Sequence, residues 1–589
     1  EQSELCLRSI PRLPRANRRH AGWTPPQCRM QRSEKSIRRM LKRSSRYNVF
    51  GVAVLLGLSG CAPAVPDSPA VVFTLEEATI ADIQEAFDSG VLSCAQLVQL
   101  YLNRIAAYDD DGPRLNSLIT VNPRALDTAR ALDEERVSSG PRSALHCIPV
   151  ALKDNIDTDD MPTTNGSVIL KDAIPPDDAY ITRVLRDAGA LILGKASLGE
   201  FAGGNSYNSV DGQVINPYHA SRGAGGSSGG SGVAVAANLA VVAIGTDTST
   251  SVRNPASLNG IVALRPTTGL ISRDGIAPKN LNFDTAGPMA RTVSDLAILL
   301  TAIAGPDPAD PDRLNTIVYA DHPAGPLAEE FDYSQFLLRG ALQGARLGVA
   351  RDYFGGDPEI DALAEAAIGT LRELGAELVD PVTFDGSFVT NVRRIADYRF
   401  KGDWESYLAT FGPEVPKTVA EFLERYDTEV AESAFPAEAS VIDLLSRASV
   451  TSTDDPDYID LIDIVLPRNT QLKLDLFETY NIDALVFPYH ASFAPPIRSP
   501  IGNVDDPTFV SSGDVQSPST LAGYSSVGFP GVVVPMGFGT QGLPMTISFF
   551  GRPYDEGKLI GYAYDYEQAT MHRRPPPLAP PLPSEVIER

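Results

Sequence analysis

A Gly/Ser-rich stretch, residues 223–232, has the residue types and spacing that most directly indicate chemistry. It satisfies G-x-S-x-G, the pattern of the nucleophile elbow in α/β-hydrolases, with Ser227 or Ser228 at its centre. It lacks the Lys and the following Ser or Thr of a phosphate-binding loop. It also departs from the dinucleotide-binding fingerprint, because Ser228 stands where that pattern requires glycine. A flexible linker is disfavoured, since the apolar segment 233–237 follows directly.

Two further candidates for catalysis lie on either side of this loop. Lys153 ends the apolar segment 148–152, and Ser251 lies 24 residues after Ser227. A serine hydroxyl is a weak nucleophile and needs a base within hydrogen-bond reach. Burial disfavours the charged form of lysine, so Lys153 at the end of an apolar strand would act as a base near neutral pH. An esterase triad stays open as well, with three histidines downstream of the loop: His322, His490 and His572.

Together with the sequence segments around them, these residues resemble the motifs of the amidase signature family. The segments that carry the resemblance occur in the order 148–155, 223–232, 245–257, 260–267 and 287–292. The likeness extends from about residue 75 to about residue 575 and is weakest across 306–480. Within the family, the segments 269–276 and 400–408 look most like the peptide-amidase branch.

The resemblance implies a Ser–cisSer–Lys triad, with Ser251 as nucleophile, Ser227 as proton relay and Lys153 as base. It places the oxyanion hole on the backbone N–H groups of Thr248, Ser249, Thr250 and Ser251. It assigns supporting hydrogen bonds to Ser228, Asp247 and Arg253. The implied reaction is hydrolysis of a carbon–nitrogen bond in a linear amide, through an acyl-Ser251 intermediate. No metal or cofactor is expected.

The two residues before the nucleophile depart from the family pattern. Most members carry two small residues there, often glycines, whereas this chain has Ser249 and Thr250. A β-branched residue tolerates positive φ poorly. We therefore expect Thr250 at negative φ, which would leave the backbone N–H groups of the turn available as an oxyanion hole.

Alternating helical and strand-like segments must position these residues, and they predict an α/β protein. The expected fold is the amidase-signature α/β/α sandwich around a large mixed, mostly parallel sheet, formed by one domain over residues 73–589. Ser93 is expected to cap an amphipathic helix that begins near residue 95. A strand is predicted to end at Lys153, and a helix is predicted after the Gly/Ser loop.

The N-terminal part differs in composition from this domain. Residues 1–39 are expected to lie upstream of the true start and to be disordered. Residues 40–61 look like a lipoprotein signal, because the apolar run 49–60 is too short to cross a bilayer and ends in a lipobox-like Leu-Ser-Gly-Cys. Cys61 is thus the expected lipidation site, and residues 62–72 form a Pro/Ala/Ser-rich tether. This predicts a protein held at the bacterial cell envelope by a lipid anchor alone.

Charge excludes one class of partner. Residues 1–47 contain thirteen of the 50 basic residues and three of the 74 acidic ones. The remainder of the chain therefore has 37 basic and 71 acidic residues. So acidic a body repels phosphate backbones, and nucleic acid is not expected as a partner. The expected partner is a small-molecule or peptide amide substrate. Two alternatives stay open: the glutaminase subunit of a tRNA-dependent amidotransferase, and a catalytically silent envelope binding protein.

Overall fold

The computed structural model describes residues 72–320, 331–383, 392–431, 433–499, 502–503, 515, 521 and 528–588. The predictions for residues 1–71 lie outside this part of the chain, and so do Cys61 and His322. Within the described ranges, no helix is both long and apolar enough to cross a bilayer.

A sheet of eleven strands lies at the centre of the described chain. The strands of that part of the chain are β1 (Val72–Thr74), β2 (Leu118–Val121), β3 (Pro149–Lys153), β4 (Leu191–Ala196), β5 (Tyr207–Asn208), β6 (Gly212–Gln213), β7 (Val242–Thr246), β8 (Val262–Arg265), β9 (Ala286–Ala290), β10 (Arg346–Ala350), β11 (Glu377–Val382), β12 (Ala484–Pro488), β13 (Arg498–Ser499), β14 (Gly502–Asn503), β15 (Gly531–Phe538), β16 (Pro544–Phe550) and β17 (Val586–Glu588). The order in the large sheet is β11-β10-β12-β16-β15-β8-β9-β7-β3-β4-β2.

Parallel pairing in this sheet is confined to two blocks, β7-β3-β4 and β12-β10-β11. The strands between the blocks, and the edge strand β2, pair antiparallel. One cause is the hairpin of β15 and β16, because a short connection forces its two strands to run in opposite directions. The predicted large mixed sheet is confirmed, but parallel pairing extends less far than the sequence predicts.

Helices surround the sheet and cover its apolar strands. They are α1 (Ile80–Asp88), α2 (Cys94–Arg104), α3 (Ala125–Ser139), α4 (Tyr180–Asp187), α5 (Gly229–Ala236), α6 (Arg253–Leu258), α7 (Val293–Ile303), α8 (Leu314–Ala320), α9 (Pro358–Glu373), α10 (Val392–Ala396), α11 (Phe400–Leu408), α12 (Val419–Arg425), α13 (Ala439–Val450), α14 (Pro456–Asp460), α15 (Leu466–Tyr480) and α16 (Glu556–Thr570). Every residue of β3 and β7 is buried, as expected for parallel strands that helices cover on both faces.

Two predictions about helix starts can be checked directly. Ser93 caps α2, because its Oγ accepts from the backbone N–H of Gln96 at 3.2 Å and its own N–H donates to Gln96 Oε1 at 2.9 Å. This reciprocal arrangement is a capping box. Helix α5 follows the Gly/Ser loop as predicted, and it begins at Gly229, within the loop sequence itself.

A smaller apolar cluster lies beside the main core. It is formed mostly by α11, α12 and α13, together with residues from the segment 169–173 before β4 and Phe201 after it. The ring of Phe201 packs edge-on against Trp404, with the ring centroids 5.2 Å apart. This contact anchors the helical segment 392–450 next to the loop that precedes the Gly/Ser stretch.

Candidate active site

Lys153 is the last residue of β3, and Thr246 is the last residue of β7. The two strands are parallel neighbours, so their carboxyl ends lie at the same edge of the sheet. There Lys153 Nζ donates to Thr246 Oγ1 at 2.8 Å and to the Thr246 carbonyl at 3.2 Å. Its third hydrogen bond, at 2.8 Å, goes to Ser227 Oγ. The amine is therefore held by three oxygens in a buried position.

The Gly/Ser loop brings Ser227 to this amine. The peptide bond between Gly226 and Ser227 is cis. A side chain at Gly226 would clash with the carbonyl oxygen of Gly204, so only glycine fits there. The carbonyl of Ser227 accepts from the N–H of Gly199 at 3.0 Å and from Ser206 Oγ at 3.2 Å.

Ser251 lies in the turn between β7 and α6. Its carbonyl accepts from the N–H of Ser228 at 3.2 Å, which ties the two serine-bearing loops together. Ser251 is partly exposed, whereas Ser227 and Lys153 are buried. The geometry thus ties the turn of a partly exposed serine to the loop of a buried serine that is hydrogen-bonded to a lysine.

The turn that carries Ser251 offers free backbone donors. Within the described ranges, the N–H groups of residues 248–251 donate to no other group. The non-glycine residues with positive φ in that part of the chain do not include Thr250, in agreement with the expectation from its branched side chain. Backbone N–H groups of this kind are the donors from which an oxyanion hole is built.

Asp247 braces the same turn. Its carboxylate accepts from the N–H of Val252 at 3.1 Å, from Arg265 at 2.9 Å and from Arg253 at 3.4 Å. Arg253 also donates to the carbonyl of Ser249 at 2.7 Å. Burial alone would raise the pKa of Asp247, but the two guanidinium groups hold it below its ordinary value. Removing one partner of a buried ion pair costs about 3–5 kcal/mol, because it leaves the other charge buried and uncompensated, so the turn needs all three side chains.

Ser228 also has a structural contact. Its Oγ donates to the carbonyl of Thr246 at 3.2 Å, which joins the Gly/Ser loop to the end of β7. The predicted supporting residues therefore all lie around the turn and the loop that carry Ser251 and Ser227.

Burial lowers the pKa of Lys153 to about 7. The carboxylates of Asp247 and Asp284 oppose this shift, and the ammonium of Lys279 adds to it. Near neutral pH, a large fraction of the Lys153 side chain is thus the neutral amine. A neutral amine has a lone pair that can accept the Ser227 proton, whereas an ammonium group can only donate.

Comparison with known proteins agrees with this geometry. The Amidase family profile matches residues 96–560 of the chain. The protein belongs to the amidase signature family. A crystal structure of native peptide amidase from Stenotrophomonas maltophilia is 38% identical, with a TM-score of 0.74, over 86% of this chain and 99% of that chain. A probable amidase from Arabidopsis thaliana is 34% identical over 86% of this chain and 92% of its own length.

A further relative bears on the alternatives. A glutamyl-tRNA(Gln) amidotransferase subunit from Rippkaea orientalis is 33% identical over 85% of this chain and 100% of its own length. The family and the fold class predicted from the sequence are thus confirmed. Two of the enzyme interpretations, the amide hydrolase and the glutaminase subunit of an amidotransferase, fall within this family.

Some residues of this amidase site were not singled out from the sequence. Thr246 binds Lys153 and Arg265 binds Asp247, although neither was predicted to have a role. Asp284 accepts from Thr248 Oγ1 at 2.6 Å and from the backbone N–H of Lys279 at 2.8 Å. The signal for Thr246 was its position at the end of a strand parallel to β3. Asp284 and Lys279 belong to no local pattern that would have identified them.

The esterase interpretation requires a histidine that is hydrogen-bonded to the nucleophilic serine. Within the described residues, neither His490 nor His572 forms a hydrogen bond with Ser251. Burial lowers the pKa of His490 to about 4, so its imidazole stays neutral and would be a weak base.

We expect the activity of the amidase to fall in acid as Lys153 becomes protonated. Because the base is the neutral amine, kcat/KM should decline below a midpoint near the pKa of Lys153, about 7. The measurement is kcat/KM between pH 5 and pH 9 in buffers of constant ionic strength. A kcat/KM that stays constant down to pH 5, as a carboxylate base with a pKa of about 4 would give, would contradict the assignment of Lys153 as the base.

Proposed function

We propose that this amidase hydrolyses the carbon–nitrogen bond of linear amides other than peptide bonds. The observation that carries the proposal is the buried hydrogen bond from Lys153 to Ser227, in a loop tied to the turn of the accessible Ser251. This arrangement supplies a nucleophile, a proton relay and a base in sequence, which is what acyl transfer to a serine requires.

The proposed reaction begins when neutral Lys153 takes the proton of Ser227, and Ser227 takes that of Ser251. The Ser251 oxygen then attacks the amide carbon, and N–H groups of residues 248–251 stabilise the oxyanion. The proton returns through Ser227 to the leaving nitrogen, the carbon–nitrogen bond breaks, and ammonia or an amine departs from the acyl-Ser251 ester. Water, deprotonated through the same relay, attacks the ester and restores Ser251 with release of the carboxylic acid.

A substrate panel tests the proposal. The purified protein is incubated with primary aliphatic amides, a C-terminal peptide amide, an anilide and a carbamate, and release of ammonia or amine is measured. Hydrolysis of at least one linear amide is the expected result. The competing interpretation as a silent binding protein predicts no turnover with any member of the panel.

A second candidate function is the glutaminase reaction of a tRNA-dependent amidotransferase. The 33% identity to the amidotransferase relative over 85% of the chain favours it. The two functions differ in the amide that the isolated chain is expected to cleave. Hydrolysis of simple linear amides by the isolated chain at rates well above those with glutamine would support the first candidate. Ammonia release from glutamine alone, with no other amide cleaved, would support the second.

We further propose that Cys61 anchors the protein to the cell envelope. The support is the sequence pattern of residues 40–61, a basic start, an apolar run and a lipobox-like end. Cys61→Ala is expected to move the protein from the membrane fraction to the soluble fraction, or to leave its signal segment uncleaved, because no thiol remains to carry the lipid. Cell fractionation with immunoblotting measures this, with Cys94→Ala as the control for cysteine loss. Wild-type protein found free in the cytosol would contradict the proposal.

A further inference from the structure

A cavity of about 210 Å³ lies beside the residues assigned to the reaction, and the mechanism above makes no use of it. Its lining includes Gly203 and Gly204 on one side and Lys279 on another. Helices α10 and α13 complete it, with Arg393, Arg394 and Arg447 among their contributions. The cavity is therefore rich in cationic side chains, although the domain as a whole is strongly acidic.

Residues that line the cavity contact the neighbours of both halves of the reaction site. The carbonyl of Gly204 lies against Gly226, the residue before the proton-relaying Ser227. On the other side, the backbone of Lys279 donates to Asp284, and Asp284 accepts from Thr248 in the turn that carries Ser251. A group of the substrate that extends from the amide carbon into this cavity would thus lie a few bonds from the bond that is broken.

The acidic residues of the lining are already engaged with neighbouring groups. Arg447 pairs with Asp397 at 2.9 Å and also with Asp443, so these two carboxylates share one guanidinium group and the three residues together carry about one negative charge. Glu200 accepts from Ser209 Oγ at 2.8 Å and from the hydroxyl of Tyr426. Burial raises the pKa of Glu200 to about 7, so this carboxyl group carries only part of a negative charge near neutral pH.

Among the residues that the structure describes, four cationic side chains line the cavity against three acidic ones. Within the described chain, no carboxylate forms an ion pair with Lys279 Nζ, and the amine lies 5.7 Å from the centre of the Phe400 ring. Lys279 is buried, with a relative exposure of 7%. Burial, with smaller contributions from the nearby Arg393 and Arg447, lowers its pKa to about 8 against the opposing carboxylates of Asp397 and Asp284. The side chain is still mostly an ammonium group at neutral pH.

A buried ammonium group that faces a cavity and lacks an ion-pair partner is a binding site for an anion. The cavity volume is too small for a macromolecule and suits a single functional group of a small molecule. Because the lining is linked to the turn of Ser251 through Asp284 and Thr248, we infer that an anion held there belongs to the substrate.

Resting on the proposed function, we propose that the enzyme selects amides that carry a carboxylate, and that Lys279 binds this carboxylate together with Arg394. The chemical class is the monoamide of a dicarboxylic acid, or an amino-acid or peptide amide with an acidic group close to the amide. Lys279 is then a specificity-determining binding residue.

Three substrates of equal chain length test the proposal. Glutaric acid monoamide carries a carboxylate where pentanamide carries a methyl group, and 5-aminopentanamide adds an ammonium group at that end. Hydrogen bonds to a charged group contribute about 1.5–3 kcal/mol, which corresponds to a factor of about 10–100. We expect kcat/KM for the monoamide to exceed that for pentanamide at least tenfold, with 5-aminopentanamide cleaved most slowly.

Substitution of Lys279 tests the assignment to this cavity. Lys279→Met is expected to reduce the ratio of kcat/KM for the monoamide to that for pentanamide at least tenfold, and Lys279→Arg should retain part of the preference. The ratio cancels any effect on Lys153 or on folding, because both substrates use the same enzyme and the same base. The matched control is Lys171→Met at an exposed position, which should leave the ratio unchanged.

The outcomes separate this inference from the proposed function. If pentanamide is cleaved as efficiently as the monoamide, the carboxylate preference is wrong while amide hydrolysis stands. If the monoamide is preferred but Lys279→Met keeps the full ratio, the carboxylate is bound elsewhere and the assignment of the cavity is overturned. If none of the three substrates nor any member of the wider amide panel is cleaved, the proposed function itself fails.

Discussion

Ser251→Ala is expected to abolish amide hydrolysis, with the residual rate at the level of the assay background. The substitution removes the only oxygen that the proposed mechanism joins to the acyl group, so no acyl-enzyme can form. The fold should persist, because the structural role of Ser251 is its backbone carbonyl, which accepts from Ser228 and is retained in the variant. The measurement is ammonia release from the best substrate of the panel, with circular dichroism to check folding.

The nucleophile can also be identified by its covalent product. Intact-mass spectrometry of the wild type after rapid acid quench should show the mass of the acyl group, and peptide mapping should place it on Ser251. Ser138→Ala, at an exposed position on α3, is the matched control and should behave as the wild type does. Retention of more than a few per cent of the activity by Ser251→Ala, or an acyl group on another residue, would contradict the assignment.

The elements that carry the proposed triad were predictable because each has a strong local pattern. The short apolar segment 148–152 predicted a strand that ends at Lys153, and the structure has that strand. The Gly/Ser loop abutting an apolar helix indicated a tight turn against the core. In the structure, that turn has no room for a side chain at Gly226.

Partners that come from distant segments were not predictable in the same way. Thr246 meets Lys153 only because β7 pairs with β3 in parallel register, a fact about sheet topology that no window of sequence contains. Asp284 reaches Thr248 across 36 residues of chain, and its role depends on the path of the connection between β8 and β9. The extent of parallel pairing was overestimated for the same reason, because strand direction depends on how distant strands are ordered in the sheet.

The cationic cavity illustrates a different limit. Arg393, Arg394 and Arg447 occur in the segment where the family resemblance is weakest, and on the sequence alone they look like ordinary surface charges. Only the packing of α10 and α13 beside Gly203 brings them to face Lys279. The proposed carboxylate selection therefore rests on side chains of the helical segment, whereas the proposed bond-breaking groups rest on strand ends and glycine turns.

Lys153→Ala is expected to lower kcat by about 10²–10⁴-fold, the usual contribution of a positioned general base. Without the amine, Ser227 has no acceptor for its proton, so the hydroxyl of Ser251 must react without activation. The acid limb of the pH profile near pH 7 should disappear together with the activity, because the group that titrates there is gone. The measurement is kcat and kcat/KM between pH 5 and pH 9 for the wild type and the variant.

Two further variants separate loss of the base from loss of structure. Lys153→Met keeps the length and volume of the side chain but has no amine, so it should show the same loss of rate with a melting temperature closer to that of the wild type than the alanine variant has. Lys171→Ala, at an exposed position, is the control for removing a lysine and should keep both the rate and the profile. Lys153→Met with activity within a few-fold of the wild type would mean that another group accepts the Ser227 proton. An unchanged midpoint near pH 7 in Lys153→Met would lead to the same conclusion, because Lys153 would then not be the group that titrates.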